Sequence, residues 1–327
     1  MKIFITGGTG LLGSHVAHRL RQDGHAVVAL HRPGSDTTFL RDLGCELAEG
    51  DLGDTPDGHA RRLDGCDALF HAAAHIYGGS SMASVGAVNV DGTLGLLQGA
   101  NVAGVARVVH VSSVAVYGDP PAPITEDTPL DAPLRRVDYY GKTKRDGEAA
   151  ARRFGSDHDL PVTVLRPPAI YGERDRLFVP KLVAILRQPV AFLLGSGNTR
   201  LAAVYAGNVA DAVVRALQGR GEGGVFNVTE DVLTTQRTLY EGLAREMGWS
   251  PRFLSIPAGM ARLGARVGDT LGIPIPGAKD LSLTRSVRLA TEDNPYPSTR
   301  AREVLGWDPP FSLQEAVART AAWLRNP

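Results

Sequence analysis

The sequence contains few of the features that mark disulfide-rich, metal-binding or membrane proteins. It has only two cysteines, Cys45 and Cys66, without a C-x-x-C spacing, so we expect reduced core residues and no disulfide framework. Its nine histidines include no H-E-x-x-H pattern, and we predict no metal site. No apolar run approaches the roughly 18 residues of a membrane span, and we expect no secretory signal before the first strand. We therefore expect a cytoplasmic protein with no membrane partner.

An excess of charge of either sign is also missing. The 35 Lys and Arg residues balance 35 Asp and Glu residues, giving a formal net charge of zero. Without a basic field to attract phosphates, we expect a small-molecule substrate and no nucleic-acid partner. Apolar residues make up 43% of the chain and charged residues 21%, an ordinary globular composition. The 327 residues suffice for one large α/β domain, or for a domain with a smaller companion lobe.

Short runs rich in Val, Ile and Leu alternate with helix-like stretches through the first half of the chain. The runs are KIFIT, AVVAL, CELAEG, DALFHAA, RVVHVSS and VTVLRP. Unbroken apolar runs of this length are typical of parallel strands that are covered on both faces. The pattern predicts an α/β fold with a doubly wound parallel sheet. Its helices are predicted near residues 11–22, 84–102, 138–154 and 176–187.

The segment TGGTGLLGSH directly follows the first predicted strand and opens a helix. Gly7, Gly10 and Gly13 are spaced by three, and Gly8 completes a G-x-G-x-x-G pattern with the last two. Such glycines permit a tight turn, let a pyrophosphate approach the backbone and allow the helix to pack closely on the sheet. In this strand-to-helix context the motif predicts a Rossmann-type dinucleotide site, formed by Gly7, Gly10, Leu11, Leu12 and Gly13.

The regular alternation weakens after about residue 170. Pro-rich stretches at 272–280, which also contains Gly, and at 292–300 separate further helical segments. The last helix begins with a cap-like S-L-Q-E start, in which Ser312 is the cap and Gln314 follows. We therefore divide the chain into a dinucleotide-binding Rossmann core, 1–170, to which some later segments return, and a smaller C-terminal substrate lobe, mainly 171–327.

The end of the second predicted strand bears on the choice of cofactor. An acidic residue there typically bonds the ribose 2′-hydroxyl of NAD. This chain instead has His31 and Arg32, and the first acidic residue after the second strand is Asp36. An Arg at this point suits a 2′-phosphate, so the sequence favours NADP over NAD, although a solvated Arg in a turn gives the same pattern. Asp51, followed by Leu52, comes after the third strand and is predicted either to meet the adenine or to cap a turn.

The segment YYGKTK, residues 139–144, contains two candidate proton-transfer pairs. A Tyr that acts as an acid or base near neutral pH needs a nearby cation to lower its pKa. Tyr140 and Lys144 are four apart on a predicted helix, and Tyr139 and Lys142 are three apart, so periodicity permits both pairs. The run VVHVSSVAVYG ends a buried strand in Ser112–Ser113, at the sheet edge where α/β folds bind ligands.

Seven motifs follow one another in the order typical of one family. They read TGGTGLLG, GDL, HAAA, NVDGT, SSVAVYG, YGKTK and LRPPAIYG. On these motifs the sequence resembles the extended short-chain dehydrogenase/reductases, the NAD-dependent epimerase/dehydratase superfamily, over nearly its whole length. Segments after residue 165 are closest in pattern to the 3β-hydroxysteroid dehydrogenase and dihydroflavonol reductase branch.

The resemblance implies a catalytic set of Ser113, Tyr140 and Lys144. Ser113 and Tyr140 would hydrogen-bond the substrate oxygen, and Tyr140 would donate or remove its proton. Lys144 would lower the Tyr140 pKa and bond the nicotinamide ribose. The resemblance also implies cofactor contacts, which would involve His71, Ala72, Ala73, Asn89, Pro167 and Ile170. Asn89 would steady the central helix, and for His71 a packed strand-end histidine is an equal alternative.

Departures from the family's sub-patterns bear on the reaction. Dehydratases carry an Asp-Glu pair after the catalytic Ser or Thr, where this chain has Val114 and Ala115. Many nucleotide-sugar epimerases carry Asn where this chain has Ala169, although Arg174 and Arg200 remain available for a diphosphate. We therefore expect an NAD(P)-dependent oxidoreductase that acts on a hydrophobic ketone or secondary alcohol. The alternatives are an NAD-dependent nucleotide-sugar epimerase and a non-catalytic NADP-binding sensor or scaffold.

Two further expectations concern the substrate and the assembly. Candidate cleft residues on loops after strands are Ile76, Tyr77, Tyr117, Phe178 and Tyr205, and ordinary packing is the alternative for each. The resemblance implies a homodimer formed through the two long helices at 84–102 and 138–154.

Overall fold

The structure of the chain is a computed structural model that describes residues 1–76, 81–134, 138–229, 234–273 and 283–326. The strands are β1 (Lys2–Thr6), β2 (Ala26–His31), β3 (Glu46–Glu49), β4 (Ala68–His71), β5 (Arg107–Val111), β6 (Val162–Arg166), β7 (Ala169–Tyr171), β8 (Val190–Leu194), β9 (Ala203–Tyr205), β10 (Val225–Asn227) and β11 (Arg252–Ile256). The helices are α1 (Leu11–Gln22), α2 (Thr38–Asp42), α3 (Pro56–Leu63), α4 (Met82–Gly86), α5 (Gly92–Val102), α6 (Tyr139–Asp157), α7 (Phe178–Leu186), α8 (Ala206–Leu217), α9 (Gln236–Glu246), α10 (Ala258–Thr270), α11 (Leu283–Thr291) and α12 (Leu313–Arg325).

A seven-stranded parallel sheet forms the centre of the fold. Its spatial order is β10-β6-β5-β4-β1-β2-β3, and every neighbouring pair is parallel. The order reverses direction beside β1, which creates a crevice at the carboxyl ends of β1 and β4. The predicted doubly wound Rossmann-type sheet is confirmed, and all six predicted runs form strands of it.

Helices cover both faces of this sheet, as its apolar strands require. On one face α1 packs against α8, and Val16 and Val213 join Ile5 in one buried apolar cluster. On the other face lie α3, α5 and α6, where Leu96 and Phe154 join a second cluster. These two layers hold α1 and α6, the helices that carry the predicted cofactor and catalytic residues, against the sheet.

Two helix predictions differ from the structure in informative ways. The stretch predicted as one helix at 84–102 contains α4, a π-helical turn at Ala87–Asp91 and α5. The wider turn lies where the Asn89 side chain bonds a neighbouring loop and helix. The helix predicted from 176 begins at Phe178, because the Asp175 carboxylate accepts hydrogen bonds from the first backbone N–H groups.

Several segments after residue 170 return to the core, since α8 packs on α1 and β10 forms an edge of the main sheet. The others form two small parallel sheets, β7 with β9 and β8 with β11, and a separate apolar cluster that involves α7, α9 and α12. At the start of α12, Ser312 forms a capping box with Glu315, so Gln314 is not the capping partner. In the described part of the chain, no helix has both the length and the apolar character needed to cross a membrane.

Candidate active site

The turn between β1 and α1 forms a cradle for an anionic group. Gly7 has a φ of +76°, which few residues other than glycine adopt readily. A Cβ atom on Gly13 would lie 2.1 Å from the Gly7 carbonyl oxygen, so only glycine lets the helix approach this closely. No acidic residue lies in the first turn of α1, whose amide groups point toward the crevice. These residues fit the pyrophosphate of a dinucleotide.

The residues predicted to select the cofactor lie at the ends of β2 and β3. Arg32 is exposed, and its carbonyl oxygen accepts a turn hydrogen bond from Ser35. Asp36 accepts from the Thr38 amide, and Asp51 accepts from the Gly53 amide at 2.9 Å. Asp51 therefore caps a turn, one of its two predicted roles, with its carboxylate at the surface. Leu52 is buried beneath α5.

His71, at the end of β4, is held by a hydrogen-bond chain that fixes its tautomer. The Thr93 hydroxyl donates to the Asn89 carbonyl oxygen, so it accepts from His71 Nε2 at 2.9 Å. His71 Nδ1 then accepts from the Thr6 hydroxyl at 2.7 Å, and the Thr6 oxygen accepts from the Ala73 amide. Burial lowers the pKa of His71 to about 3 and keeps the ring neutral.

This chain of bonds indicates a positioning role for His71. It joins β1, β4 and α5 and orients Ala72 and Ala73, which are half-buried beside Gly7. His71 and His75 also form an H-x-x-x-H spacing, but they lie on a strand end and a loop instead of one helix face. Both His71 nitrogens are already bonded to threonine hydroxyls, which leaves none for a metal.

Asn89 connects the loop after β4 to α6. Its Oδ1 accepts from the His75 amide at 2.7 Å, and its Nδ2 donates to the His75 carbonyl oxygen. The same Nδ2 donates to the Thr143 hydroxyl at 3.0 Å, and Thr143 lies directly before Lys144. The side chain is 3% exposed, so these bonds form away from water. Asn89 thereby fixes one face of α6 relative to the crevice.

Ser113 lies where β5 leaves the sheet. Its hydroxyl oxygen accepts from the Ala115 amide at 3.1 Å and caps a short 3₁₀ turn, Val114–Tyr117. The Val114 amide donates to the Pro167 carbonyl oxygen, which joins the end of β5 to the segment after β6. Ile170, on β7, packs against the apolar cluster of the α1 face. The ends of β5 and β6 are thus adjacent beside the crevice.

Lys144 is buried against the end of β5. Its ammonium group donates to the Val111 carbonyl oxygen at 2.6 Å, and the residue is 5% exposed. Burial lowers the pKa of Lys144 to about 8, while the Glu148 carboxylate raises it. Tyr140 lies one turn earlier on α6 and is half-buried. Residues four apart share one helix face, so the α6 face that carries Lys144 also carries Tyr140.

A buried ionic group that sequence reasoning missed lies next to Lys144. The Arg166 guanidinium binds both carboxylate oxygens of Glu148, through Nε at 3.0 Å and through Nη2. The Ser112 hydroxyl donates to the same carboxylate at 2.6 Å. The available signal in the sequence was a charged residue at the end of a buried strand, together with Glu148 four residues after Lys144. This group connects α6, β5 and β6 below the predicted catalytic residues.

Two of the candidate substrate residues lie in the interior, which agrees with the alternative of ordinary packing. Tyr117 is 0% exposed; its hydroxyl donates to Asn227 and accepts from Arg166 at 2.7 Å. Tyr205 is 1% exposed, and its hydroxyl donates to the Glu173 carboxylate. Both aromatic rings fill apolar clusters while their hydroxyls are paired internally. Neither side chain lines an open cleft in this structure.

The remaining substrate candidates differ in their surroundings. Ile76 is 39% exposed on the loop after β4. Phe178 is half-buried at the start of α7 and packs against the apolar cluster of the C-terminal lobe. Tyr77 lies outside the described residues.

The sheet, the glycine cradle and the helix N-terminus together define a Rossmann-type dinucleotide-binding protein. Residues 3–229 match the NAD dependent epimerase/dehydratase family. The chain therefore belongs to that family, and the predicted resemblance to the extended short-chain dehydrogenase/reductases is confirmed.

Relatives of the chain include both epimerases and oxidoreductases. UDP-glucose 4-epimerase of Mycolicibacterium smegmatis is 31% identical, covering 100% of this chain and 99% of that protein. A 4-hydroxy-2-methyl-3-oxo-4-farnesyl-3,4-dihydroquinoline-1-oxide ketoreductase of Stigmatella aurantiaca is 30% identical, covering 94% and 92%. A 3 beta-hydroxysteroid dehydrogenase/Delta 5→4-isomerase of Mycobacterium tuberculosis is 28% identical, covering 97% and 88%.

Among solved structures, MoeE5 in complex with UDP-glucuronic acid and NAD is 26% identical to the chain, with a TM-score of 0.73 and 99% of each chain covered. The family match covers the core and the first part of the C-terminal lobe, and the likeness to this structure covers nearly the whole chain.

Proposed function

We propose that the chain is an NAD(P)-dependent oxidoreductase that transfers hydride between a nicotinamide cofactor and a hydrophobic ketone or secondary alcohol. The observation that carries the proposal is the buried Lys144 ammonium, 2.6 Å from the Val111 carbonyl oxygen and one helical turn from Tyr140. A cation there favours the phenolate form of a neighbouring Tyr. Ser113 follows Val111 by two residues, so strand and helix bring their polar groups to one edge of the crevice.

The roles of the three side chains follow from their chemistry. The bound cofactor supplies or accepts the hydride. Ser113 and Tyr140 hydrogen-bond the substrate oxygen, and Tyr140 donates a proton to it during reduction or removes one during oxidation. Lys144 stabilises the Tyr140 phenolate and bonds the nicotinamide ribose. Asn89 and His71 position α6 and the loop at 72–76 around that reaction centre.

Two features support this proposal. The first favours an oxidoreductase over a dehydratase, and the second favours a hydrophobic substrate over a sugar. No carboxylate follows Ser113, since Val114 and Val116 are buried apolar residues and Ala115 lies between them. Elimination needs an acid and a base at the substrate, and this turn provides neither. The named substrate of the Stigmatella aurantiaca relative carries a farnesyl group, which supports an apolar substrate for this chain.

A nucleotide-sugar epimerase is the second candidate. The full-length similarity to the M. smegmatis UDP-glucose 4-epimerase favours it, as do Arg174 and Arg200, which suit a diphosphate. Ala169, exposed on β7, weakens it, because many epimerases bind the nucleotide diphosphate through an Asn at that position.

For the cofactor, we propose NADP over NAD on the strength of the exposed Arg32 at the end of β2. The NAD bound to MoeE5 supports the opposite choice. Replacing Arg32 with Ala separates them: a loss of NADPH affinity with unchanged NADH affinity supports NADP. Equal NADPH affinity before and after the change would remove the proposal's basis.

The experiment that tests the function follows nicotinamide absorbance with NADPH and with NADH against hydrophobic ketones and alcohols, with UDP- and dTDP-sugars in parallel. We expect net cofactor turnover on an apolar carbonyl and none on the sugars. Tyr140→Phe should lose turnover by about 100-fold or more while it still binds cofactor, and Tyr139→Phe is the matched control. Inversion of a nucleotide sugar without net turnover would establish the epimerase instead.

A further inference from the structure

The buried charged groups beside α6 do not form the ion pair that their spacing on the helix suggests. Lys144 and Glu148 are four residues apart on α6, the spacing at which a Lys and a Glu form an ion pair. The Lys144 ammonium instead donates to the Val111 carbonyl oxygen, and the Glu148 carboxylate is bound at both oxygens by Arg166. Glu148 and Arg166 are each 1% exposed, so their pairing forms in a medium of low polarity.

We propose that Arg166 is a positioning residue that holds the Glu148 carboxylate away from Lys144 and thereby leaves the Lys144 charge to act on Tyr140. The two cations and one carboxylate give the buried group a net charge of +1. Loss of the proton from the Tyr140 hydroxyl produces a negative charge that compensates this net positive charge. Without Arg166, Glu148 would become the counter-ion of Lys144 and cancel much of its field at Tyr140. This role of Arg166 rests on the proposed function only in its effect on turnover; its effect on the charge of Lys144 does not depend on that function.

The other groups that face Lys144 do not supply a competing charge. From β4 and β5, His71 and His110 face it, and burial lowers the pKa of both rings, so both are neutral at physiological pH. Along α6, the neighbours on its face are Tyr140 and Glu148, and Arg166 approaches from β6 through the carboxylate. Within the described residues, Glu148 is thus the acid that determines how much of the Lys144 charge reaches Tyr140.

The test is the titration of Lys144 in the cofactor-free protein, followed by NMR of ¹³Cε-labelled lysine. The chain has only five lysines, so the Lys144 signal is readily assigned with Lys144→Met. Arg166→Gln should raise the pKa of Lys144 by about one unit, because it releases a carboxylate one helical turn away. Glu148→Gln should lower it, and the double variant should lie between Glu148→Gln and the wild type.

A role for Arg166 in packing alone predicts no such order. Tyr117→Phe is the control, because it removes the hydroxyl bonded to Arg166 Nη1 without changing any charge and should leave the Lys144 pKa unchanged. If Arg166→Gln does not fold, Arg166→Lys serves, since an ammonium group cannot bind both carboxylate oxygens in the fork geometry of Arg and should raise the pKa by less. A folded Arg166 variant with an unchanged or lowered Lys144 pKa would overturn the proposal.

The readout separates this proposal from the function of the enzyme. Titration of Lys144 needs neither substrate nor cofactor, so a correct order of pKa values in a protein with no turnover would leave the pairing intact and refute the oxidoreductase. With an active substrate, Arg166→Gln should also move the acid limb of kcat/KM for alcohol oxidation to higher pH.

Discussion

The Lys144 ammonium group lies 2.6 Å from the Val111 carbonyl oxygen, so helix α6 is bonded directly to the end of strand β5. This contact connects α6, which carries Tyr140, to the strand end that Ser113 follows. It also places a cation where only 5% of the residue is exposed, and burying a charge there costs free energy that one neutral hydrogen bond offsets only in part. The protein therefore holds a costly charge at the sheet edge where α/β folds bind their ligands.

That cost gives stability a specific pH dependence. The pKa of Lys144 is lowered from 10.5 to about 8, so between these values the unfolded chain binds the proton and the folded protein does not. Stability must then rise with pH through this window. Lys144→Met should abolish that part of the dependence, and the wild type should gain about 2 kcal/mol relative to it between about pH 7.5 and about pH 9.5. Denaturant unfolding at both pH values measures it.

Lys142→Met on the same helix is the control and should retain the wild-type pH dependence. Equal slopes for the wild type and Lys144→Met would show that Lys144 is not buried as a cation.

His71 should produce a pH dependence of the same sign, but in acid. Its pKa is lowered from 6.5 to about 3, so as pH falls below 6.5 the unfolded chain takes up a proton that the folded protein excludes. Stability is then lost as pH falls, by about 2 kcal/mol between about pH 7 and about pH 5. His71→Gln should remove this component from the denaturant unfolding curves, whereas His158→Gln, at an exposed site, should not.

Asn89 should matter for stability and turnover together. Asn89→Ala removes two part-buried bonds to the loop at His75 and one buried bond to Thr143 on α6. We expect a loss of about 2–4 kcal/mol in the free energy of unfolding, together with a lower kcat because α6 is less well positioned. The exposed Asn101, on α5, is the matched control, and Asn101→Ala should change stability by about 0.5 kcal/mol or less. Similar losses of stability for both variants would argue against this role of Asn89.

The sequence predicted the fold well because the information was local and repeated. Each strand of the main sheet that was predicted is an apolar run of the right length between helical stretches, and the helix predicted at 11–22 is α1 itself. Glycine spacing located the turn after β1 because its close approach depends on the absence of a side chain at Gly13, which a sequence displays directly.

The parts that were missed depend on contacts between residues far apart in the chain. In the sequence, Arg166 is only a polar residue at the end of a strand. The packing of β6 beside α6 brings the Glu148 carboxylate to the Arg166 guanidinium. The π-helical turn at Ala87–Asp91 likewise depends on bonds from Asn89 to His75 and Thr143, which no helical periodicity encodes. Tyr117 and Tyr205 follow strand ends, where ligands often bind, but the sequence did not reveal the partners that bury their hydroxyls.

Tyr205 allows the two readings, packing and substrate contact, to be tested against each other. Its ring packs between His15 and Phe311, and its hydroxyl donates to the Glu173 carboxylate at 2.8 Å. The Tyr205 residue is 1% exposed. Tyr205→Phe keeps the ring but leaves that carboxylate with one partner fewer, so we expect a loss of about 1–3 kcal/mol in the free energy of unfolding. KM for an active substrate should stay within about twofold of the wild-type value, because the hydroxyl does not reach a cleft. The measurement pairs denaturant unfolding with steady-state kinetics on the same preparation. A large rise in KM without a change in stability would instead support a substrate contact by Tyr205.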